Sequence, residues 1–417
     1  MKRLIFILFF FSFARALTVE EAVNKAIQNN PELQSLKQQV KSAEFGLKAD
    51  ENLYFPTFFL KASQQYYGKT PMTSIPNFPL SFKQSNQNFL TFDIGLNQTI
   101  YSGGQVTSKI EASKHNLQGT LYLYREKENQ LKADVIKAYI DVFITASLID
   151  VYKKELQSIE SLYKQAEGFF QEGLITKVDL LQTKVRLAEV RKNLTEAQGN
   201  HIIALSRLSQ LIGEDIKDEN FQPVKIDIPE NLNIEELLKK ENRPIVAYYK
   251  ENIKQLEKLE KIESAEFLPK VFIQGEYIYT KQSPYLYPKG NLLLTLGVAI
   301  QFQGITPYYK TLQAKSNTSK LRYDLQDIKE KIKLEIKTAY QNFQTAKENY
   351  RVSVENLQYA QEYFELVKEQ YANQLATNTD LLNAESALTR ALESKEINYY
   401  NLLKSYIDIK KAVGENL

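Results

Sequence analysis

The sequence predicts a fold that is mainly α with a membrane β-barrel, built from two copies of one unit. Three observations carry this prediction: an internal repeat, two pairs of alternating strands, and two long heptad patterns. Ala138-Tyr139 recurs as Ala339-Tyr340 at an offset of 201, whereas Phe55-Pro56 recurs as Leu268-Pro269 at an offset of 213. The second copy therefore lacks 12 residues between positions 56 and 101. A repeat of half the chain is too long for a solenoid unit and indicates a duplicated protomer.

Residues 1–16 have the composition of a secretory signal peptide. Lys2-Arg3 supplies positive charge, the ten-residue segment from Leu4 to Phe13 is predominantly apolar, and Ala14-Arg15-Ala16 has the small residues of a cleavage site. A helix needs about 20 apolar residues to cross a bilayer, so this segment is too short, and a retained anchor is the alternative. We therefore expect an exported chain.

Charge and cysteine content exclude several classes of protein. Without Lys2, Arg3 and Arg15, the chain carries 50 basic and 50 acidic residues. This balance leaves no basic excess for phosphates and argues against nucleic acid as a partner. The absence of cysteine excludes disulfides, thiolate metal sites and a lipid anchor on an N-terminal cysteine.

Each copy is expected to contain a helix, two strands, a very long helix and a shorter helix. Repeat 1 covers 17–214, with strands at about 56–67 and 88–101 and a helical hairpin at about 105–212. A linker at 215–231 contains Pro223 and Pro229. Repeat 2 covers 232–417, with strands at about 269–280 and 291–302 and a hairpin at about 306–414.

The four strands each alternate between an apolar and a polar face, as in Leu90, Phe92, Ile94 and Leu96. Strands of about ten residues with one apolar face suit a transmembrane barrel, although a soluble sandwich has the same alternation. The last strand is out of phase by one residue with its counterpart, which a bulge beside Gly103-Gly104 would absorb. Four strands cannot close a barrel, so several chains must contribute strands.

The helical hairpins carry the stronger pattern. Apolar residues alternate at spacings of three and four over five heptads in each copy, which is typical of a left-handed coiled coil. The predicted seam of copy one is Val135, Ala138, Val142, Thr145, Ile149, Tyr152, Leu156, Ile159, Tyr163, Ala166 and Phe170. The predicted seam of copy two is Ile336, Ala339, Phe343, Ala346, Tyr350, Ser353, Leu357, Ala360, Phe364, Val367 and Tyr371.

Catalytic chemistry is not expected. The two histidines, His115 and His201, each stand alone on a predicted helix, and no catalytic motif or phosphate loop occurs. We therefore expect neither an enzyme nor a bound cofactor or metal.

The chain resembles the TolC-like outer-membrane efflux proteins over its whole length after residue 16. The resemblance rests on several motifs together, two of them duplicated. They are the Leu-x-x-Glu-Glu-Ala start at Leu17, Asn30-Pro31-Glu32-Leu33, Phe55-Pro56, Tyr101-Ser102-Gly103-Gly104, and the turns Gly173 to Leu181 and Leu375 to Ala384.

This resemblance implies a homotrimer with a twelve-stranded barrel in outer-membrane lipid and a long periplasmic α-helical coiled-coil barrel. It also implies a passive exit duct of a tripartite efflux or type I secretion system. The partners would be a periplasmic adaptor and an inner-membrane pump of RND or ABC type. The location would be the outer membrane, extending into the periplasm.

The resemblance also assigns residues to a periplasmic gate at the second hairpin turn. Tyr371 and Asp380 match the family pattern, whereas Asn383 replaces a second acidic residue and Ala376 replaces a basic one. The alternative role of Asp380 is a carboxylate at a helix N-terminus.

The adaptor would dock on the hairpin tips. The family's Gly-Leu pair matches Gly173 and Leu174 in copy one, whereas copy two has Gln374 and Leu375.

One other function stays open, a non-conducting coiled-coil structural protein or adhesin of the cell envelope. It explains the heptads but not the two pairs of strands with an apolar face. A periplasmic adaptor is disfavoured, because such proteins need many more strands.

Overall fold

Two long helical hairpins and one four-stranded sheet dominate the fold. The computed structural model describes residues 16–74, 76, 79–216, 221–224, 226–229, 231–240, 243–301 and 304–415. The helices are α1 Val19–Asn29, α2 Pro31–Glu51, α3 Gln105–Gln171, α4 Lys177–Ile212, α5 Ile234–Lys239, α6 Pro244–Ser264, α7 Thr306–Ala372 and α8 Asn378–Val413. The predicted signal peptide lies outside the described residues, except for Ala16.

The sheet has the order β1-β4-β5-β6 and is antiparallel throughout. Its strands are β1 Thr57–Tyr66, β4 Asn88–Tyr101, β5 Lys270–Thr280 and β6 Gly290–Ala299, while β2 Met72–Ser74 and β3 Ser81–Lys83 form a separate hairpin. One row of partners across the four strands is Leu60, Ile94, Tyr277 and Leu292. All four side chains are exposed, so the predicted apolar strand positions share one uncovered face.

The two strand connections explain the length difference between the copies. Residues 67–87 join β1 to β4, whereas 281–289 join β5 to β6, a difference of 12 residues. The longer connection contains the β2–β3 hairpin, which the sequence did not predict. The predicted bulge is confirmed, because the β4–β5 register shifts between Thr99 and Tyr101 and leaves Ile100 unpaired. The prediction for β6 was too long, since the strand ends at Ala299.

The chain divides into two compact units, each drawing on both halves of the sequence. The helical unit comprises the described residues up to Lys37, Leu123–Val246, and those from Asp327 onward. The sheet unit comprises Gln38–Tyr122 and Ala247–Gln326. The two units therefore do not coincide with the two predicted repeats.

Within the helical unit, the two hairpins bury equivalent positions. The core of the α3–α4 hairpin includes Val135, Ala138, Val142, Leu208 and Ile212. The core of the α7–α8 hairpin includes Ile336, Ala339, Phe343, Ile409 and Val413, each 201 residues further along the chain. A further cluster packs Ile136 and Ile140 of α3 against Leu403 and Ile407 of α8 and so joins the hairpins.

The predicted seams are buried or half-buried with one exception. Phe170 is 38 % exposed at the end of α3, so its assignment to the seam was wrong. Phe169 packs inward instead, with its ring centroid 5.9 Å from that of Tyr371. The apolar seam is therefore continued by Phe169 rather than Phe170 at the end of α3.

Among the described helices, none combines the length and the apolar character that a membrane crossing requires.

Candidate functional site: the two hairpin turns

The two hairpin turns lie in the helical unit and share one backbone conformation. At the end of α3, the Leu174 amide donates to the Phe169 carbonyl at 2.8 Å and the Gly173 amide donates to the Phe170 carbonyl at 3.1 Å. This pattern needs a left-handed residue at Gly173, which has φ +74°. Glycine adopts that conformation without steric cost.

The second turn keeps the same hydrogen bonds without the glycine. The Leu375 amide donates to the Gln370 carbonyl at 2.7 Å and the Gln374 amide donates to the Tyr371 carbonyl at 3.0 Å. Gln374 has φ +60°, a conformation that costs a side-chain-bearing residue about 1–2 kcal/mol. The loss of glycine in copy two has therefore changed the strain of the turn but not its shape.

Both turns end in the same helix cap. In turn one, the Thr176 amide and hydroxyl donate to Asp179 Oδ2 at 2.9 and 2.6 Å. In turn two, the Thr377 amide and hydroxyl donate to Asp380 Oδ2 at 3.0 and 2.5 Å, and the Asp380 amide returns a bond to Thr377 Oγ1 at 3.2 Å. The Thr377 hydroxyl and then its amide lower the pKa of Asp380. The structure therefore supports the alternative role of Asp380, as a carboxylate that caps the N-terminus of α8.

The three predicted gate residues do not lie together. Asp380 and Asn383 are both exposed and stand three residues apart on α8, which places them on one face of the helix. Tyr371 is 5 % exposed and belongs to the cluster that packs beneath the turns. Burial, and then the charge of Asp179, raise the pKa of Tyr371. Among the described residues, its hydroxyl has no hydrogen-bond partner.

The three predicted docking residues lie at the tips. Leu174 is 49 % exposed and Leu375 is 78 % exposed. A side chain added at Gly173 would point into open space. Each tip thus presents one uncovered leucine on the same turn geometry.

Sequence reasoning missed a polar contact that fixes turn two to α4. Asn378, buried at the start of α8, accepts a hydrogen bond from Thr183 Oγ1 at 3.2 Å and donates to the Asp179 carbonyl at 3.0 Å. Its counterpart at the 201 offset is the exposed Lys177. The replacement of a lysine in copy one by an asparagine in copy two was the sequence signal that could have indicated this buried contact.

Sequence reasoning also missed a buried charge cluster formed by Glu155, Arg186 and Glu385. It lies beside the apolar residues under the turns, which we call the turn core. The turn core comprises Ile159, Leu162, Leu187, Val190, Phe364, Val367, Tyr371, Leu381 and Ala384. In the part of the chain that the structure describes, no group of three or more histidine or acidic residues is placed to hold a metal.

Comparison with known proteins finds similar outer-membrane proteins by sequence and by structure. Residues 22–214 match the outer membrane efflux protein family. The chain is 24% identical over 185 residues to the alkaline protease secretion protein AprF of Pseudomonas aeruginosa, covering 44% of this chain and 36% of AprF. It is 25% identical over 224 residues to the outer membrane protein TolC of Vibrio cholerae, covering 50% of this chain and 48% of TolC. The chain therefore spans between about a third and a half of the curated relatives it matches.

Solved structures share the fold over nearly the whole chain. CusC has a TM-score of 0.82 at 15% identity, covering 95% of this chain and 92% of CusC. The Campylobacter jejuni CmeC outer membrane channel has a TM-score of 0.79 at 20% identity, covering 95% and 85%. At these identities the match establishes the fold. Together, the comparisons show that residues 22–214 are similar to the outer membrane efflux protein family and that the chain shares the fold of CusC and CmeC.

Proposed function

We propose that three copies of this chain form a passive exit duct through the outer membrane. The observation that carries this proposal is the sheet of the sheet unit. Its order, β1-β4-β5-β6, leaves β1 and β6 each paired on one side only among the described strands. Four strands are too few to close a barrel and open edges promote pairing with another chain. Three copies joined β6 to β1 would give a closed barrel of twelve strands.

The exposed face of the sheet supports a location in lipid. The row of Phe58, Leu96, Gly275 and Leu294 lies on the same face as the row that contains Leu60. On the other face, the row that contains Lys61 and Asp93 carries charge, with the two groups 3.8 Å apart. An apolar outside and a polar inside are the pattern of outer-membrane barrels.

Cross-linking of strand edges tests this assembly, because the chain contains no cysteine of its own. Cysteine at Ser63 in β1 would be combined with cysteine at Asn291, Leu293 or Thr295 in β6. We expect at least one pair to give disulfide-linked trimers on a denaturing gel. As a control, cysteines at the paired residues Asn97 and Gln274 of the two central strands should cross-link within one chain. Linear polymers, or no intermolecular bond at any pair, would contradict the closed trimer.

We further propose that Asp380 and Asn383 line the periplasmic entrance, with Tyr371 supporting the turn from beneath. Three copies would place three Asp380 carboxylates around one axis, which attracts cations. We expect Asp380→Ala to weaken block of the conductance by a trivalent cation. Asp179→Ala is the matched control, because it removes the same helix cap from the other turn. Equal block in wild type and Asp380→Ala would remove Asp380 from the entrance.

The partners that we propose are a periplasmic adaptor at the hairpin tips and an inner-membrane pump of RND or ABC type that supplies the energy. Gly173, Leu174 and Leu375 would meet the adaptor, since the two leucines are uncovered at the tips. We propose no catalytic activity and no cofactor for the chain itself.

A photo-cross-linking residue at position 174 or 375 should capture a protein other than the chain itself in cells. The same probe at Val185, exposed on α4 away from the tips, is the control. Adducts at Val185 alone would contradict docking at the tips.

A further inference from the structure

A buried cluster of three charges joins the two hairpins. Glu155 of α3, Arg186 of α4 and Glu385 of α8 form what we call the Glu–Arg–Glu cluster. The side chains of Glu155 and Glu385 are 1% and 3% exposed, and that of Arg186 is 17% exposed. Arg186 Nη2 donates to Glu155 Oε1 at 2.5 Å and to Glu385 Oε2 at 3.3 Å. One guanidinium therefore donates hydrogen bonds to carboxylates from both hairpins.

The charges of this cluster do not balance. Two ionised carboxylates and one guanidinium would leave one negative charge in a site that borders the turn core. Isolated buried charge is strongly unfavourable, and a carboxyl group in such a site takes up a proton instead. Glu155 Oε2 is buried and has no hydrogen-bond partner among the described residues. Glu155 Oε2 is therefore the carboxylate oxygen that is free to carry the proton.

Among the described residues, Arg186 is the cation that acts on both carboxyl groups of the cluster, and the other charged groups around it are acidic. From α8, Glu393 adds further negative charge and the Thr389 hydroxyl donates to Glu385 Oε1 at 3.4 Å. From α4, Glu189 lies 3.5 Å from Arg186 Nη1 at the exposed edge. From α3, burial and then a hydrogen bond with Glu393 raise the pKa of Tyr152, which therefore stays neutral.

We propose that the Glu–Arg–Glu cluster is a proton-binding clamp, which holds the α3–α4 hairpin against α8 with one shared proton and loosens when that proton is lost. The clamp would make the packing of the hairpins sensitive to pH. It does not depend on whether the trimer conducts.

The direction of the pH effect follows from the raised pKa values. Burial, and then the charge of Glu385, raise the pKa of Glu155 to about 7 against the opposing effect of Arg186. Burial also raises the pKa of Glu385. The packed state therefore binds the proton more tightly than separated helices, whose carboxyl groups titrate near 4.5. The shared proton stabilises packing fully below pH 4.5, the ordinary pKa of glutamate, and this stabilisation is lost as pH rises through 7. We expect the equilibrium constant for packing of the α3–α4 hairpin against α8 to fall about tenfold between pH 6 and pH 8.

Infrared spectroscopy and hydrogen exchange of the full-length protein in detergent test the clamp. The wild type should show a carboxylic acid band that disappears between pH 6 and pH 8. Amides of 180–192 and 381–392 should open about tenfold more readily at pH 8, after correction for the intrinsic exchange rate. Glu155→Gln keeps the shape of the side chain without titrating, so it should abolish both the band and the pH dependence.

The chain offers a matched control on the same two helices. Glu160 and Arg191 are separated by 31 residues, as are Glu155 and Arg186, but they form an exposed pair at 3.1 Å. Glu160→Gln should behave as the wild type in both measurements. Glu385→Gln, which also removes one buried carboxylate, should suppress the pH dependence if Glu155→Gln fails to fold. A wild type without the band, or a Glu155→Gln variant that keeps it, would overturn the proposal.

Discussion

The two hairpin turns have the same backbone and different side chains. Gly173 and Gln374 both adopt the left-handed conformation, and the cap of Thr176 and Asp179 is repeated by Thr377 and Asp380. Backbone and cap hydrogen bonds therefore set the shape of each turn, whereas single substitutions set what the turn contacts. Turn one has an exposed lysine where turn two inserts Asn378 into a buried contact with α4.

The same contrast extends one turn of helix away. Phe170 is exposed at the end of α3, whereas Tyr371 at the equivalent position of α7 is buried in the turn core. Turn two is therefore held by two contacts, that of Tyr371 with the turn core and that of Asn378 with α4. Changes at equivalent positions of the two turns separate the effects that they share from those that belong to one turn.

The largest difference is expected at the position of Asn378. Asn378→Ala removes two hydrogen bonds in a buried site and should cost about 1–3 kcal/mol in the opening free energy of turn two. Lys177→Ala, at the equivalent exposed position, should have almost no effect. Hydrogen exchange of the amides of 376–386 and 175–185 measures both. Equal effects would show that the buried contact does not distinguish the turns.

The left-handed residues should respond in opposite directions. Gln374→Gly relieves the strain at φ +60° and should stabilise turn two by about 1 kcal/mol. Gly173→Gln should destabilise turn one by a similar amount, since its side chain meets no clash. The same exchange measurement applies. A destabilising Gln374→Gly substitution would mean that the glutamine side chain contributes a contact of its own.

The two caps should be equivalent. Thr176→Ala and Thr377→Ala each remove a hydroxyl that bonds within the capping box and should each cost about 1 kcal/mol. Opening free energies that differ between the two variants by more than this amount would contradict a shared cap.

The smallest effect concerns pH at turn two. Because the pKa of Asp380 is lowered, its cap contributes stability above the ordinary aspartate value of 3.8 and loses it as pH falls below that value. Exchange of the turn-two amides should therefore accelerate in this acidic range. Asp380→Asn should lack the acid-dependent part. An unchanged acid dependence in Asp380→Asn would assign the effect to another group.

The local features of the molecule were predictable and the long-range ones were not. Strand faces and the buried seam follow from periodicity in residues such as Leu60 and Val142, because neighbouring positions determine them. The spacing of Glu155 and Arg186 equals that of Glu160 and Arg191, yet one pair is buried and the other exposed. The approach of α8 brings Glu385 to the first pair. Periodicity along one helix carries no information about that approach.

The roles of the gate and docking residues remain proposals, because they concern contacts outside a single chain. Asp380 and Leu174 are exposed in one chain, and their roles depend on partners that the sequence does not encode. The cap explains why the Thr-x-x-Asp pattern occurs at both turns, whichever of them faces an entrance.

Recording of ionic current across planar lipid bilayers tests the central claim, that copies of this chain close a pore, most directly. The purified full-length protein in detergent should insert and give discrete, uniform conductance steps. A trivalent cation added on the periplasmic side should reduce these steps. Protein that forms stable trimers and inserts into the bilayer without conducting would contradict the claim and favour a structural role in the envelope.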